Sequence, residues 1–289
     1  MSTNEAGDAL AAAHRHCADL VRAADPDRAL TVLLAPEAAR PALNALYAFN
    51  AEVARVRESV SQPLPGEVRL QWWRDLLESG APGDATANPV AAALLDAVAR
   101  HRLPRAALLA LIDARVFDLY DDVMPSRHDL EGYCGETSSA LIRLAALILG
   151  QGEDPGGVDA AGHGGVAYAV TGLLRAFPWH ARRGQVYVPR DILDRHGVTR
   201  DDIVLGRGGP GVLAALADLR ALARDHLAKA RAAAPPAGQA LPAFLPLALV
   251  EPYLAEMERR GYDPFRTVID RPAWRKIARL WWADRRKRF

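Results

Sequence analysis

The sequence predicts an all-α protein, and three features of the chain support that fold class. Alanine, leucine and arginine, which favour helices, dominate the sequence. The strict alternation of apolar and polar residues that marks a half-buried β-strand is rare. Neither an internal repeat nor a linker long enough to separate domains interrupts the 289 residues. One all-α domain, residues 1–289, is therefore the expected architecture.

The composition excludes several classes of function. Half of the residues are hydrophobic, so a sizeable core can be buried. The 36 Lys and Arg residues against 35 Asp and Glu leave a formal net charge of +1, which argues against nucleic acid as the main partner. The two cysteines, Cys17 and Cys134, form no metal or redox motif.

The chain also lacks the usual signals for export and for membrane spanning. The N-terminal stretch MSTNEAGDALAAAHRH has no apolar signal-peptide core. No uninterrupted apolar run reaches the roughly 18–20 residues that cross a bilayer. We therefore expect a cytoplasmic protein in a reducing compartment, either soluble or peripheral on the inner face of the membrane.

Proline and glycine divide the first half of the chain into helical segments. Proline suits the first turn of a helix, where its missing N–H is not needed. Ser126 with Asp129 three residues later resembles a capping box, which opens a helix. An interruption or a bend is expected near Pro41, and loops at 80–88 and 151–157. The expected helices are 5–24, 28–34, 36–61, one from Pro65 through Trp73, 89–101, 104–123 and 126–149.

The second half is organised around residues 164–189, a helix followed by a break. Small residues fill the expected helix 164–174, and Pro178 interrupts it because proline cannot donate its backbone hydrogen bond. A basic turn at 181–184 and a short β-branched run at 185–188 follow. The remaining expected helices are 189–196, 199–205, 212–233, 241–260 and 273–285.

The stretch 164–189 reads GGVAYAVTGLLRAFPWHARRGQVYVP. It resembles the second aspartate-rich region of the squalene/phytoene synthase family, roughly A-x-Q-L-T-N-I-L-R-D-x-x-x-D-x-x-R-G-R-x-Y-x-P. The two aspartate positions of that pattern hold Ala176 and His180. The pattern is otherwise matched at Thr171, Leu174, Arg175, Arg183, Gly184, Tyr187 and Pro189.

Two earlier stretches resemble the same family in the same order. Residues 46–58, LYAFNAEVARVRE, resemble its first aspartate-rich helix, but the aspartate positions hold Ala54, Arg55 and Glu58. Residues 133–139, YCGETSS, resemble a Y-C-x-x-x-A-G segment, and Asp118 with Leu119 resembles a D-L pair. The resemblance therefore covers most of the chain.

The resemblance implies an isoprenoid synthase-type helical bundle around a central cavity. Synthases of this family join two prenyl diphosphates with Mg²⁺ held by the aspartates, since Mg²⁺ prefers oxygen ligands and the departing diphosphate needs its charge neutralised. Here Glu58 alone keeps a carboxylate, Arg55 is a cation, Ala176 offers no ligand and His180 suits softer metals. We therefore expect neither a metal, a cofactor nor a catalytic residue, and treat these positions as vestigial.

Longer strings resemble a degenerate branch of the family that includes a mitochondrial assembly factor for respiratory complex I. They cover 48–60, 174–183, Gln71 to Trp73 and the closing Trp-Arg-aromatic segment. The implied function is an accessory protein for complex I assembly, with complex I subunits or assembly intermediates as partners and a prenyl or quinone-like lipid as ligand. Two alternatives stay open: an active prenyl-diphosphate transferase with an altered Mg²⁺ site, and an isoprenoid lipid carrier.

The resemblance also nominates ligand-binding residues. One interpretation is that a phosphate or carboxylate is bound bidentately by Arg175, Arg182 and Arg183, with Arg175 partly buried and facing the cavity. The alternative is that these arginines pair with Asp118 or Asp122. Four aromatic residues would line an apolar cavity or simply belong to the core: Tyr47, Phe49, Tyr133 and Tyr168. The candidates are Tyr47, Phe49, Tyr133, Ser138, Ser139, Thr171, Arg175, Arg182, Arg183 and Tyr187.

Two further sets of polar residues have an ordinary structural interpretation. Asp118, Asp121 and Asp122 stand at i, i+3 and i+4 of an expected helix, which suits a displaced metal platform or, as we favour, a solvated helix end. Nothing in the sequence orients His180 with a carboxylate, so we expect a structural histidine beside Trp179 rather than an acid or base.

The segment from Arg271 to Phe289 is strongly basic, with eight Lys and Arg residues against one acid. Trp274, Ile277 and Trp281 recur on one face of the expected helix. A basic helix with tryptophans on its apolar side binds anionic membrane surfaces. We expect Trp274 and Trp281 to complete the core, and Trp282 with the basic tail to contact an anionic membrane.

Overall fold

The structure is a computed structural model that describes residues 3–79, 87–233 and 238–289. Within these ranges the chain is helical, as the sequence predicts, and the extended segments form an isolated parallel β-bridge between Val123 and Val186 rather than a sheet. Most of the expected loop 80–88 lies outside the described residues. The helices are α1 (Thr3–Ala24), α2 (Pro26–Val32), α3 (Arg40–Ala54), α4 (Pro63–Ser79), α5 (Pro89–His101), α6 (Arg105–Arg115), α7 (Arg127–Cys134), α8 (Ala140–Leu149), α9 (Val158–Arg175), α10 (Phe177–Arg182), α11 (Arg190–Arg195), α12 (Arg200–Val204), α13 (Pro210–Ala232), α14 (Val250–Glu256) and α15 (Ala273–Arg286).

The chain divides into two compact units, and the expected single domain stays a prediction. The first unit comprises Met1–Leu119, Leu141–Gly156 and Pro236–Ala243. The second comprises Tyr120–Ala140, Gly157–Pro235 and Phe244–Phe289. In the described residues, no helix combines the length and apolarity that crossing a membrane demands.

In the first unit, α1, α3 and α5 pack against one another. Helix α3 is buried along most of its length, and its Phe49 ring meets the Trp73 ring of α4 edge-on at 5.1 Å between centroids. Asn88 caps α5, because its side-chain oxygen accepts from the N–H groups of Val90 and Ala91. This cap, followed by Pro89, explains why the expected bounds 89–101 are confirmed.

The expected helix 36–61 is shorter in the structure. Helix α3 ends at Ala54, where the Arg55 N–H donates to the carbonyls of Ala51 and Glu52, and a 3₁₀ turn follows at Val56–Ser59. The interruption expected near Pro41 is present, since residues 37–39 form a 3₁₀ turn and α3 begins at Arg40 with Pro41 in its first turn. Likewise, the expected helix 104–123 ends at Arg115 and continues as the 3₁₀ turn Val116–Leu119.

The centre of the second unit is α9, which packs along α13 and against a π-helical segment, Gly135–Ser139. Gly165 permits the second contact, since a Cβ there would overlap the backbone N and Cα of Ser139. The Ser139 hydroxyl also donates to the Gly162 carbonyl at 2.7 Å. The expected helix 126–149 is therefore divided into α7, the π segment and α8, although Ser126 does cap α7 as predicted.

The expected break after α9 is confirmed. The short helix that follows it, α10, was not predicted from the sequence. Helix α9 runs to Arg175, Ala176 ends it, and Pro178 lies in the first turn of α10 instead of in a loop. The basic turn follows, with Gly184 in the left-handed region at φ +77°.

The expected helix 241–260 is also wrong in detail. Its residues form the 3₁₀ segments Gly238–Ala243 and Leu245–Leu249 before α14, because prolines at 242 and 246 remove the donors of a regular helix. Helix α15 has the predicted extent to within one residue.

Candidate functional site

The first aspartate-motif positions lie at the end of α3 rather than within a helix. Arg55 and Glu58 are exposed, with the guanidinium 3.9 Å from the carboxylate. Since the α-helix has already ended at Ala54, these positions do not form the i, i+4 ladder that a pair of metal-binding aspartates requires.

The second motif positions lie where α9 gives way to α10. Ala176 is the residue that ends α9, and the ring of His180 packs on the ring of Tyr187 with centroids 4.7 Å apart. The expected neighbour of His180 was Trp179, which instead is exposed. His180 contacts Tyr187 because the basic turn folds residues 185–188 back beside α10.

These side chains do not fit Mg²⁺. The motif positions supply a methyl group at Ala176, a cation at Arg55 and an imidazole at His180, where a hard ion needs several carboxylate oxygens. In the described part of the chain, no cluster of three or more His, Cys, Asp or Glu side chains could hold a metal ion.

Arg175, at the last turn of α9, is partly buried as expected, with 25% of its side chain exposed. Its Nε donates to the carbonyl of Ile269 at 3.1 Å, and its guanidinium carbon lies 3.8 Å from the centre of the Tyr253 ring. Its Nη2 is 3.7 Å from Asp270. Pairing with a carboxylate was one of the two expectations for this arginine, and the carboxylate found here belongs to Asp270, almost a hundred positions further along the chain.

The acidic trio does not share one helix face. Asp118 lies in a 3₁₀ turn and is buried, with its carboxylate 3.1 Å from Nη1 of Arg115. Asp121 and Asp122 follow that turn and are exposed. The expectation of a solvated helix end is therefore wrong for Asp118, and the metal-platform alternative loses its geometry.

An aromatic and polar cluster forms at the turn after α10, and we call it the tyrosine cluster. The Tyr133 and Tyr187 rings lie 5.8 Å apart, and both residues are buried. His180, which belongs to the same stretch as Tyr187, packs on the Tyr187 ring. Gln185 Nε2 donates to the Tyr187 hydroxyl at 3.3 Å. Two predicted ligand-binding residues, Tyr133 and Tyr187, thus come together in the second unit.

The predicted hydroxyl residues differ in whether their side-chain hydroxyls already form hydrogen bonds within the chain. Thr171 donates to the Ala167 carbonyl within α9 at 2.7 Å, and Ser139 donates to Gly162. Ser138, on the π segment, is buried, and its hydroxyl has no hydrogen-bond partner among the described residues. Ser138 is thus the predicted hydroxyl residue whose polar group is not already satisfied within the described chain, and it lies on a π-helical turn, a feature often found at functional sites.

The remaining candidates have surroundings of different kinds. Tyr47 and Phe49 belong to the interior of the first unit, where the Arg28 guanidinium lies 5.4 Å from the Tyr47 ring and burial raises the pKa of Tyr47 to about 12. Arg182 and Arg183 are exposed at the end of α10, and Tyr168 is half-buried on α9. A ligand-binding role for these residues stays a prediction.

Comparison with known proteins decides the family. The family model described as squalene/phytoene synthase matches residues 21–278. The chain belongs to the squalene/phytoene synthase family. It is 36% identical over 261 residues to the rat (Rattus norvegicus) protein named NADH dehydrogenase (ubiquinone) complex I, assembly factor 6, covering 90% of this chain and 78% of the relative.

Other members of the squalene/phytoene synthase family are enzymes by name. The presqualene diphosphate synthase of Sinorhizobium fredii is 30% identical over 168 residues, which cover 58% of this chain and 59% of that enzyme. The crystal structure of squalene synthase HpnC from Alicyclobacillus acidocaldarius superposes with a TM-score of 0.74 and 25% identity, covering 89% of this chain and 97% of that one. The isoprenoid synthase helical fold is thereby confirmed.

A histidine pair on α9 and α13 was not found by sequence reasoning. Nδ1 of His163 lies 3.1 Å from Nδ1 of His226, whose Nε2 lies 3.3 Å from Glu131 on α7. Burial lowers the pKa of His226 below its ordinary value. The three residues are too far apart in sequence to form a spacing motif, so no local signal indicated them.

Helix α15 exposes the side that was expected to be buried. Trp274, Trp281 and Trp282 are 66%, 45% and 52% exposed. The buried stripe is instead Lys276, Leu280 and Ala283, and the Lys276 ammonium is 3.0 Å from Asp270. The expectation that Trp274 and Trp281 complete the core is wrong, because a paired lysine allows the less apolar stripe to pack inward.

Proposed function

We propose that this chain is a catalytically degenerate member of its family that acts as an accessory or assembly factor for respiratory complex I. The observation that carries the proposal is the combination of an intact family scaffold with motif positions whose side chains do not fit Mg²⁺. The 36% identity to a complex I assembly factor over 90% of the chain supports the same role.

The proposal includes a lipid ligand of prenyl or quinone type. The tyrosine cluster supplies buried aromatic rings, and the buried hydroxyl of Ser138 supplies a polar group for the headgroup end of such a molecule. Native mass spectrometry of the purified protein would detect a retained lipid. A preparation that neither carries nor takes up quinone or prenyl lipids would remove this part of the proposal.

We also infer that the protein works at a membrane surface, from the cytoplasmic side, through the segment from Arg271 to Phe289. The basic character of this segment and its exposed tryptophans support that location.

The experiment for the assembly role is deletion of the gene in its native host, followed by complementation. NADH:quinone activity and the amount of intact complex I on native gels should fall in the deletion strain and return with the wild-type chain. The other respiratory complexes serve as the internal control. Normal complex I in the deletion strain would contradict the role.

An active prenyl-diphosphate transferase is the second candidate. The similarity to presqualene diphosphate synthase and the matched residues Thr171, Arg175, Arg183 and Tyr187 favour it. Under this alternative the enzyme would need Mg²⁺ from a donor set that the motif positions do not offer. An isoprenoid carrier without an assembly role is distinguished by lipid binding together with normal complex I in the deletion strain.

A further inference from the structure

Helix α15 presents an apolar face to solvent. Trp274, Ile277 and Trp281 are large, exposed and spaced at i, i+3 and i+7, and Trp282 extends the face to one side. The buried stripe opposite is anchored by Leu280, by Ala283 and by the Lys276–Asp270 pair. The orientation of the helix is therefore fixed, and the tryptophans cannot turn inward without breaking that pair. Contiguous exposed apolar surface of this kind marks an interaction site.

The charged residues around this face are mostly positive: the one acid of the helix, Asp284, pairs with Lys287, and the arginines have no acidic partner among the described residues. No carboxylate of the described residues lies within ion-pair distance of Arg271, Arg275, Arg279, Arg285, Arg286 or Arg288. Three of these arginines instead lie over the exposed tryptophans, at 4.8–5.0 Å from the ring centres: Arg275 on Trp274, Arg285 on Trp281 and Arg286 on Trp282. The face therefore alternates apolar rings with uncompensated cations.

Two clefts border the arginine side of the helix and share Arg279 and Trp282. One, of about 510 Å³, is lined by Arg279, Arg286 and Arg288. The other, of about 360 Å³, is lined by Arg271, Arg275 and Arg279. Arginine forks match phosphate oxygens bidentately, so the arginines of both clefts can bind a phosphate group. The smaller cleft also has an apolar wall of Leu249, Pro252, Trp274 and Trp282, and its Arg271 and Arg279 donate to the carbonyls of Pro252 and Ala248.

We propose that α15 is an in-plane anchor for a bilayer of anionic phospholipids. The tryptophan face enters the boundary between headgroups and acyl chains, where indole rings are favoured. The two clefts hold headgroup phosphates at the same depth. This inference rests on the peripheral location proposed above, and it holds whether or not the protein assembles complex I.

The positive charge of this face favours an anionic lipid surface over a second copy of the chain as its binding partner. A second copy of this chain would bring the same row of arginines to the same face, and like charges would oppose each other. An anionic bilayer supplies many phosphates at once, and each basic residue near it strengthens binding roughly five-fold, the equivalent of about 1 kcal/mol.

The experiment measures binding of the full chain to vesicles of phosphatidylcholine, with and without phosphatidylglycerol. Two paired variants test the anchor: Trp274→Ala with Trp281→Ala, and Arg286→Glu with Arg288→Glu. Matched controls change exposed residues of the same unit: Leu205→Ala with Leu213→Ala, and Arg190→Glu with Arg207→Glu. Point changes are used because truncating the tail would remove Phe289, which is buried and stacks on Phe244.

We expect salt-sensitive binding to vesicles that contain phosphatidylglycerol, and at least about ten-fold weaker binding of both anchor variants. The controls should bind like the wild type. Tryptophan emission should move to shorter wavelength on binding and be quenched by brominated acyl chains, and the Trp274→Ala, Trp281→Ala variant should lose most of that response.

Several results would overturn the proposal: no vesicle binding, equal binding to neutral and anionic vesicles, or equal losses in controls and anchor variants. Loss of self-association in the tryptophan variant, measured by sedimentation, would assign the face to a contact between copies.

The assembly role is tested separately, with the deletion strain. A wild-type chain that restores complex I but ignores vesicles contradicts only the anchor, whereas vesicle binding with normal complex I in the deletion strain contradicts only the assembly role.

Discussion

Arg175 is held by an aromatic ring, a carbonyl and a carboxylate of its own unit. The guanidinium stacks at 3.8 Å on Tyr253 and donates to Ile269, so its charge is already engaged. We expect Arg175→Ala to lower the free energy of unfolding by about 1–3 kcal/mol, since a cation–π contact and a charged hydrogen bond are both lost. Arg182→Ala, at an exposed position, should change it by less than about 0.5 kcal/mol. Urea denaturation of the two variants measures the difference, and equal effects would contradict this description of Arg175.

His226 gives the second unit a defined response to pH. Nδ1 of His226 lies 3.1 Å from Nδ1 of His163 and its Nε2 lies 3.3 Å from Glu131, so both ring nitrogens already have hydrogen-bond partners in the neutral form. Burial lowers the pKa of His226, with Glu131 opposing it and His163 and Lys229 reinforcing it. The folded state therefore resists protonation.

The sign of the effect follows from this lowered pKa. Well above about pH 6.5, the ordinary pKa of histidine, the stabilising contribution is complete, and it is lost as the pH falls through that value because the unfolded chain binds the extra proton. We expect the free energy of unfolding to drop between about pH 7.5 and about pH 5.5, and His226→Gln to show a smaller drop. His128→Gln, at an exposed position, is the control. Identical pH dependence of wild type and His226→Gln would refute the prediction.

At the scale of elements, the contact between α9 and the π segment depends on Gly165. A Cβ there would overlap the backbone of Ser139, which cannot move aside as a flexible side chain can. We expect Gly165→Ala to destabilise the protein by about 3 kcal/mol or more. Gly172→Ala, on the same helix with open space around its Cα, should stabilise it by about 0.5–1 kcal/mol. Thermal unfolding compares them, and a neutral Gly165→Ala would mean that the close approach is not required.

The sequence predicted those elements whose ends carry local chemistry. The start of α5 was predicted from Pro89 and the start of α7 from Ser126 with Asp129, signals that need only a few neighbouring residues. A similar cap at α12, where Thr199 and Asp202 bond reciprocally, went unnoticed although the spacing is the same. The π segment and the 3₁₀ turn after Ala54 could not be found, because tertiary packing sets them and no residue type specifies them.

The face of α15 shows why a periodic pattern does not settle which side is buried. Its most apolar stripe includes Trp274 and Trp281, yet Lys276, Leu280 and Ala283 face inward. A lysine becomes tolerable inside when an acid such as Asp270 pairs with it, and that partner was visible only in the folded chain. The same limit applies to Arg175, whose partners Tyr253 and Asp270 are remote in sequence.

At the scale of the whole molecule, the family and its fold were predicted from motifs that survive around lost aspartates. We expect that restoring two of them, with Ala176→Asp and His180→Asp, raises Mg²⁺ affinity only weakly. The first motif still carries Arg55 and supplies few oxygen ligands. Isothermal titration with Mg²⁺ and a diphosphate measures this, and strong metal-dependent diphosphate binding by the double variant would show that the first motif is sufficient as it stands.

The central claim is that this scaffold serves complex I assembly without making isoprenoids. Its most direct test is incubation of the purified protein with farnesyl or geranylgeranyl diphosphate and Mg²⁺ or Mn²⁺, with an active synthase of the family as positive control. We expect that presqualene diphosphate, squalene and phytoene each stay below one equivalent of protein. Product formed over many turnovers would contradict it and establish the chain as a prenyl-diphosphate transferase.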